Sequence, residues 1–277
     1  MNQQDYKAIT FSRRGRVLTL TMNRPDSLNA VNAVLHEELS RVFTDAAKDP
    51  DSDVIVLTGA GRAFCAGGDV DWMQDAIDNP DSFETTVAEA KAIVFSLIDC
   101  EKPTIARING PAVGLGATIA LFCDVSFAAE KAIIADPHVS IGMVAGDGGA
   151  VIWPQLIGFA RAKEFLLTGD PIAAPRAAEI GLINHAVPAE QLDAAVDAFA
   201  DRLAGGAMKA IRWSKVTTNI ALRQLAVAMM DTGLAYEALT NVSADHQRLV
   251  TEFREKSAAR KKKAECGNVQ GKQQCLN

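Results

Sequence analysis

Apolar and polar residues alternate over residues 6–22, where Ala8-Ile-Thr-Phe11 and Val17-Leu-Thr-Leu-Thr-Met22 flank a turn at Gly15. A period of two marks strands. Asn23-Arg-Pro-Asp26 breaks the pattern. Over 30–47 the period lengthens, and Val31, Val34, Leu35, Leu39, Val42 and Phe43 form the single stripe of an amphipathic helix. Val54-Ile-Val-Leu57 is short and wholly apolar, as a strand covered on both faces would be. The stretch from Asp69 to about Asp99 is polar at first and then helical. Strands follow at Thr104-Ile-Ala-Arg-Ile108, Val125-Ser-Phe-Ala128 and Ala132-Ile-Ile-Ala135, with a buried helix over Gly116 to Phe122. Strands alternating with helices predict βαβ units and a mostly parallel sheet.

From Gly158 onward the pattern is almost wholly helical. Segments 159–167, 175–180, 188–203 and 206–254 read as helices, and Leu182-Ile-Asn-His-Ala-Val187 is a brief extended interruption. The expected organisation is an α/β core over 1–200 and a C-terminal helical segment over 201–265. Residues 266–277 hold too little apolar content to pack and are expected to be disordered.

Two glycine loops stand out, each joined to a strand and leading into a helix. One runs from Val54 through Gly59-Ala-Gly61 and Ala63-Phe-Cys-Ala-Gly-Gly-Asp69. The other runs from Ile108 through Gly110-Pro-Ala-Val-Gly114-Leu-Gly116. Glycine permits close backbone approach and unusual dihedrals. Two such turns can aim two backbone N–H groups at one point, which is an oxyanion hole. The second loop is not a dinucleotide fingerprint, because Ile119 stands where the third glycine belongs. Nothing matches H-E-x-x-H, G-x-S-x-G or a phosphate loop.

Composition narrows the classes. The chain has 277 residues, 48% hydrophobic and 22% charged, and five Cys without metal spacing. No metal site is expected. The polar start, Met1 to Asp5, does not read as a signal peptide. Unpaired Cys without such a signal predict reduced thiols and a cytoplasmic setting. No run approaches a membrane span. A net charge of −6 disfavours nucleic acid as a partner. The exception is a basic cluster of Arg254, Lys256 and Arg260-Lys-Lys-Lys263.

The ordered motifs resemble the crotonase (enoyl-CoA hydratase/isomerase) family. They are Met22-Asn-Arg-Pro25 with Leu28-Asn-Ala30, Ala63-Phe-Cys-Ala-Gly-Gly-Asp69, Lys102-Pro103, Asn109-Gly110, Cys123-Asp124, Leu167-Thr-Gly169, Gly181-Leu-Ile183 and Phe253-Arg-Glu-Lys256. The resemblance implies a spiral of ββα turns and a homotrimer, or dimer of trimers, assembled through the C-terminal helices. It implies an acyl-CoA thioester substrate, with coenzyme A belonging to the substrate and no separate cofactor. It places the oxyanion donors on the amides of Gly68 and Leu115. Ser27, Leu28 and Ala30 would follow the pantetheine and Ala66 would lie near the adenine. Phe253 and Lys256 would reach the adenine nucleotide.

The acid–base positions depart from the family. Ordinary hydratases carry two glutamates, and Thr118 and His138 occupy those places. In exchange, Asp147 lies nine residues after His138 in a glycine-rich loop. A histidine with a carboxylate partner is a general base with its tautomer fixed. The stretch from Asp136 to Pro154 is similar to the β-diketone hydrolase branch, which cleaves C–C bonds by a retro-Claisen route. That likeness adds Glu237 to the site. His36, His185 and His246 carry no such support. Trp72, Met73 and Trp153 read as packing or pocket wall, and the acyl pocket is expected around 70–77. The expected function is therefore acyl-CoA chemistry through a His138–Asp147 pair. Retro-Claisen hydrolysis of a β-dicarbonyl is the alternative, and a non-catalytic RNA- or CoA-binding homologue a third.

Overall fold

The computed structural model describes residues 1–274, with side chains described through Ala259. The first hairpin pairs β1 (Ile9–Arg14) antiparallel to β2 (Val17–Met22). Then α1 (Ala33–Lys48) crosses to β3 (Val54–Gly59), and α2 (Val70–Asp78) and α3 (Phe83–Asp99) cross to β4 (Thr104–Ile108). Next come β5 (Ala112–Val113), α4 (Leu115–Phe122), β6 (Val125–Ala129) and β7 (Ile133–Ala135). The chain continues through α5 (Gly149–Thr168), β8 (Ile172–Ala173), α6 (Ala174–Glu179) and β9 (His185–Val187). It ends in α7 (Leu192–Ala204), α8 (Met208–Asn241) and α9 (Ala244–Gln274). The main sheet runs β1-β2-β3-β4-β6-β9 and is parallel from β2 onward, and β5-β7-β8 form a small second sheet.

Both faces of the main sheet are covered, which is why β3 reads as an unbroken apolar run. Successive side chains of a strand point to opposite faces. Ile55 and Leu57 accordingly join the large core with Leu35, Leu39 and Phe43 of α1, while Val54 and Val56 meet Leu192, Val196 and Ala200 of α7. Asn32 caps α1 by accepting the Leu35 amide at 3.0 Å, so the predicted stripe starts at a defined point.

One difference from the sequence reading stands out. The helix expected from Phe159 begins at Gly149, and only Gly158, with φ +76°, interrupts it. Residues 149–157 hide because buried Val151, Ile152, Trp153 and Ile157 follow a glycine-rich loop and enclose Pro154. At the C-terminus the last helix, α9, is Ala244–Gln274. Residues 275–277 lie outside the described residues.

The first glycine loop is tied down by two asparagines. Asn29, fully buried with φ +56°, donates its amide nitrogen to the carbonyls of Ala60 and Ala63 at 2.9 Å each. Asn109 donates to the carbonyls of Gly59 and Gly61, also at 2.9 Å. Asn29→Ala would leave buried carbonyls unpaired and put alanine in a left-handed conformation. We expect a loss of about 2–4 kcal/mol in urea unfolding. A change under about 0.5 kcal/mol, the scale of a neutral surface substitution, would contradict this role.

Candidate active site

The two glycine loops meet. Cys65 donates to the Pro111 carbonyl at 3.0 Å and Val113 donates back to Cys65 at 2.9 Å, which clamps one loop to the other. Gly114 has φ +55°, in the left-handed region where glycine is at home. A Cβ there would sit 3.7 Å from His138 Cε1 and 3.8 Å from Gly67 Cα. So both loops and the His138 ring converge within a few ångströms. Among the described residues, neither the Gly68 nor the Leu115 amide donates to a protein acceptor. Leu115 opens α4, where the helix dipole favours negative charge.

Both amides line a cavity of about 320 Å³. Of the expected site residues, Ala66, Gly68, Leu115, His138, Asp147, Glu237 and Phe253 also face it. Ser27, Leu28 and Ala30 are half-buried beside it, and Leu28 accepts the Ala66 amide at 3.1 Å. Arg24 donates to the Ala30 carbonyl and pairs with Asp69 at 3.0 Å, fixing that rim. Lys256 is exposed on α9, with its Nζ 3.7 Å from Glu252. Arg254 reaches Asp71 at 3.4 Å. The remaining basic residues, Arg260–Lys263, lie outside the described side chains.

His138 sits in a 3₁₀ turn after Pro137. Its orientation differs from the expected one. Nδ1 is hydrogen-bonded to Asp136 Oδ1, while Nε2 faces Asp147 Oδ2 at 3.6 Å, beyond hydrogen-bond reach. The group that fixes the ring is therefore Asp136, which the sequence reading left out. Its signal was present two residues upstream, in Ala135-Asp-Pro-His138. Gly149 makes room for it, since a Cβ there would lie 2.0 Å from Asp136 Oδ2. Asp147 is held by the Thr118 hydroxyl at 3.2 Å and the Gly149 amide at 3.4 Å. The threonine in the place of a glutamate thus supports another carboxylate.

Asp136, His138 and Asp147 each bring a donor atom within 4.8 Å of the others, close enough for a cation site. The Nδ1–Asp136 hydrogen bond already occupies one of those donors. Burial alone would push the His138 value down, but the charges of Asp136 and Asp147, the Asp136 hydrogen bond and Glu237 reverse this and hold it well above the ordinary value. Burial raises Asp147, with His138 opposing. Glu237 comes from the last turns of α8 and lies over the same loop, its Oε2 2.8 Å from where a Cβ on Gly146 would be. Burial and then the Asp147 charge push it from 4.5 up to about 8. Oε2 of Glu237 is buried without a partner.

The structure also brings residues to the cavity that sequence reasoning left unassigned. His36 lines it, with Nδ1 2.5 Å from Glu89 and its ring 5.1 Å from that of Trp72. His246 lines it from α9. No local motif marks either, because both reach the cavity only through helix packing. Trp72 and Met73 form wall, as expected of the segment around 70–77. Trp153 is core, and His185 stacks on Phe127 away from the cavity.

Glu237 has a consequence for stability. Between 4.5 and about 8 the folded protein holds a proton that the unfolded chain releases, so stability falls as pH rises through that window. Glu237→Gln keeps the shape and removes the titration. We expect its Tm advantage over the parent chain to grow from pH 5 to pH 8 in thermal scans. A difference independent of pH would contradict the buried, protonated carboxyl.

The profile of the "Enoyl-CoA hydratase/isomerase" family matches residues 12–263. A protein named "Probable enoyl-CoA hydratase" from Mycobacterium tuberculosis is 34% identical over 232 residues, covering 84% of this chain and 87% of that one. The crystal structure of an enoyl-CoA hydratase/isomerase from Mycobacterium paratuberculosis superimposes with a TM-score of 0.86 at 38% identity, covering 90% of this chain and 99% of the other. A β-diketone hydrolase from the cyanobacterium Anabaena, bound to (S)-3-oxocyclohexyl acetic acid, superimposes with a TM-score of 0.80 at 30% identity, covering 87% and 96%. With the expected α/β architecture, the converging glycine loops and a match over nearly its whole length, the chain belongs to the enoyl-CoA hydratase/isomerase family of enzymes.

Proposed function

We propose that this enzyme acts on an acyl-CoA thioester, with the amides of Gly68 and Leu115 holding the developing oxyanion and the His138–Asp147 pair moving the proton. The observation that carries the reading is the convergence of two unpaired loop amides and the His138 ring on one cavity. Such preorganised donors are worth about 2.7–4 kcal/mol each in acyl-transfer sites.

The protonation pattern assigns the steps. His138 begins as imidazolium, because two carboxylates flank it. Burial makes Asp147 a stronger base than an exposed aspartate. A water spanning the 3.6 Å gap between Nε2 and Asp147 would accept from the ring and donate to the carboxylate. As its oxygen attacks, its proton goes to Asp147 and the electrons go to the oxyanion. Glu237, protonated at neutral pH, returns a proton to the α-carbon of the enolate. Attack at the β-carbon of an enoyl thioester gives a hydroxyacyl thioester.

The same parts support a second reading, retro-Claisen hydrolysis, in which water attacks a β-carbonyl and collapse breaks the Cα–Cβ bond. Two observations favour it. Thr118 offers no acid where ordinary hydratases carry a glutamate and instead holds Asp147, and a β-diketone hydrolase is among the similar structures. The acyl-CoA substrate class is common to both if the dicarbonyl is thioester-linked. We also propose assembly as a trimer or dimer of trimers. The exposed Trp213, Ile220, Val227, Tyr236 and Leu239 along α8 supply apolar surface for it.

His138→Ala should lower kcat by about 10²–10⁴-fold with KM nearly unchanged, the scale of a disabled acid–base site, because it removes the imidazolium that holds the attacking water against Asp147. Asp136→Asn should lower kcat in the same direction, since it removes the charge that orients and protonates the ring. Unaltered kinetics in both would remove the mechanism. Mass spectrometry of products should find crotonyl-CoA a poor substrate beside a cyclic β-keto acyl-CoA. Hydration of crotonyl-CoA at an ordinary hydratase rate would overturn the meaning given to Thr118.

A further inference from the structure

Gly233 is the one glycine among the 34 residues of α8. A glycine inside a helix is unfavourable relative to alanine, so its place there calls for a reason outside the helix itself. The reason is a second glycine. A Cβ on Gly146 would lie 2.3 Å from the carbonyl oxygen of Gly233 and 2.5 Å from its carbonyl carbon. A Cβ on Gly233 would lie 3.1 Å from the carbonyl oxygen of Gly146 and 3.2 Å from its Cα. Non-bonded carbons settle at about 3.5–4.0 Å. Helix and loop therefore meet backbone to backbone, closer than a side chain on Gly146 would allow.

Each glycine stands beside a member of the charged cluster. Gly146 directly precedes Asp147 in the chain. Gly233 lies one turn before Glu237 on the same face of α8. That face is the buried one, and it carries Met230, Leu234, Glu237 and Asn241. The contact thus sets how far the Glu237 carboxyl stands from Asp147. Two hydrogen bonds fasten α8 just beyond it. The Val144 amide donates to Thr240 Oγ1 at 3.3 Å, and Asn241 donates to the Ala76 carbonyl at 2.9 Å. With the helix tied there, a methyl group at the crossing would part helix from loop where Glu237 meets the cavity.

We infer that Gly146 and Gly233 are positioning residues, whose backbone contact brings Glu237 down onto Asp147 and fixes the geometry of the acid. This rests on the reading of Glu237 as the proton donor to the enolate. The two positions are unequal. Alanine at Gly146 would force helix and loop apart by roughly 1 Å, the shortfall from ordinary contact. Alanine at Gly233 asks for only a few tenths of an ångström. A misplacement of about 1 Å can cost on the order of 10²-fold in rate.

The test titrates Glu237 in the full chain, with glutamate carboxyls labelled with ¹³C. The Glu237 resonance is the one missing from Glu237→Gln. Burial and the Asp147 charge hold its midpoint up at about 8 in the parent chain. Parting α8 from the loop admits water and separates the two carboxyls, which weakens both influences. Gly146→Ala should therefore bring the midpoint down to about 7 or below, and Gly233→Ala should lower it less. With a cyclic β-keto acyl-CoA as substrate, kcat should fall in the same order, by about 10²-fold and by a few-fold. Gly233→Ala decides the matter if Gly146→Ala does not fold. A midpoint that stays in place in the folded variants overturns the inference. A midpoint that falls while kcat is unchanged leaves the positioning role standing and overturns Glu237 as the proton donor.

Discussion

One imidazole shared among three carboxylates is the constraint on which the rest of this site depends. Asp136, Asp147 and Glu237 all act on His138 inside a cavity, and no water-exposed arrangement would hold them so close. Like charges in a low-dielectric pocket cannot all stay ionised. The cluster resolves this by keeping a proton on His138 and another on Glu237. That leaves one carboxylate made more basic by burial beside one carboxyl made less acidic. Environments that push titratable groups apart are what separates a base from an acid within one site. Thr118 and His138 stand where ordinary hydratases carry glutamates, and the titratable groups here are these three carboxylates and one imidazole.

The supporting structure follows from that need. Each charged group is held by something rigid. Asp136 fits only because Gly149 lacks a side chain, and Asp147 is fixed by Thr118 from α4 and by the start of α5. The two glycine loops are locked by Cys65, Asn29 and Asn109 rather than by the cavity's contents. A site whose donors are fixed beforehand spends no reorganisation energy when charge develops. Motifs that look like signatures in the sequence, Leu28-Asn-Ala30 and Asn109-Gly110, act as carbonyl-pairing devices for the first loop.

The fold was legible wherever one face of a segment was buried. The stripe of α1 and the apolar run of β3 translate directly into the two cores. The start of α5 was not legible, because a mostly apolar run that follows a glycine-rich loop and encloses Pro154 shows no clear helical period. In the site, Gly68, Leu115, His138 and Asp147 were named through the family resemblance, which short loop motifs carry. Asp136 was within the same local window, but a carboxylate two residues from a histidine points to the same ring only when a turn folds it back, as Pro137 does here. His36 and His246 sit on helices whose packing across the cavity is long-range, and no one-dimensional pattern records it.

The cavity wall explains how these parts can work together. Trp72, Met73, Ala76 and Phe83 come from α2 and the start of α3, and α9 closes over them with His246 and Phe253. This apolar wall lowers the polarity around the charged cluster, which strengthens the interactions inside it. The same low polarity makes each unpaired polar atom expensive. Among the described residues, the buried unpaired atoms are Asp136 Oδ2, Trp153 Nε1, Arg212 Nε, Glu237 Oε2 and His246 Nε2, and of these residues Glu237 and His246 belong to the cavity lining. A core under selection for stability alone would have paired them or replaced them with hydrocarbon. Glu237 and His246 put part of the fold's unpaired polarity beside the candidate site. That is how a stable scaffold and a selective site coexist in one chain.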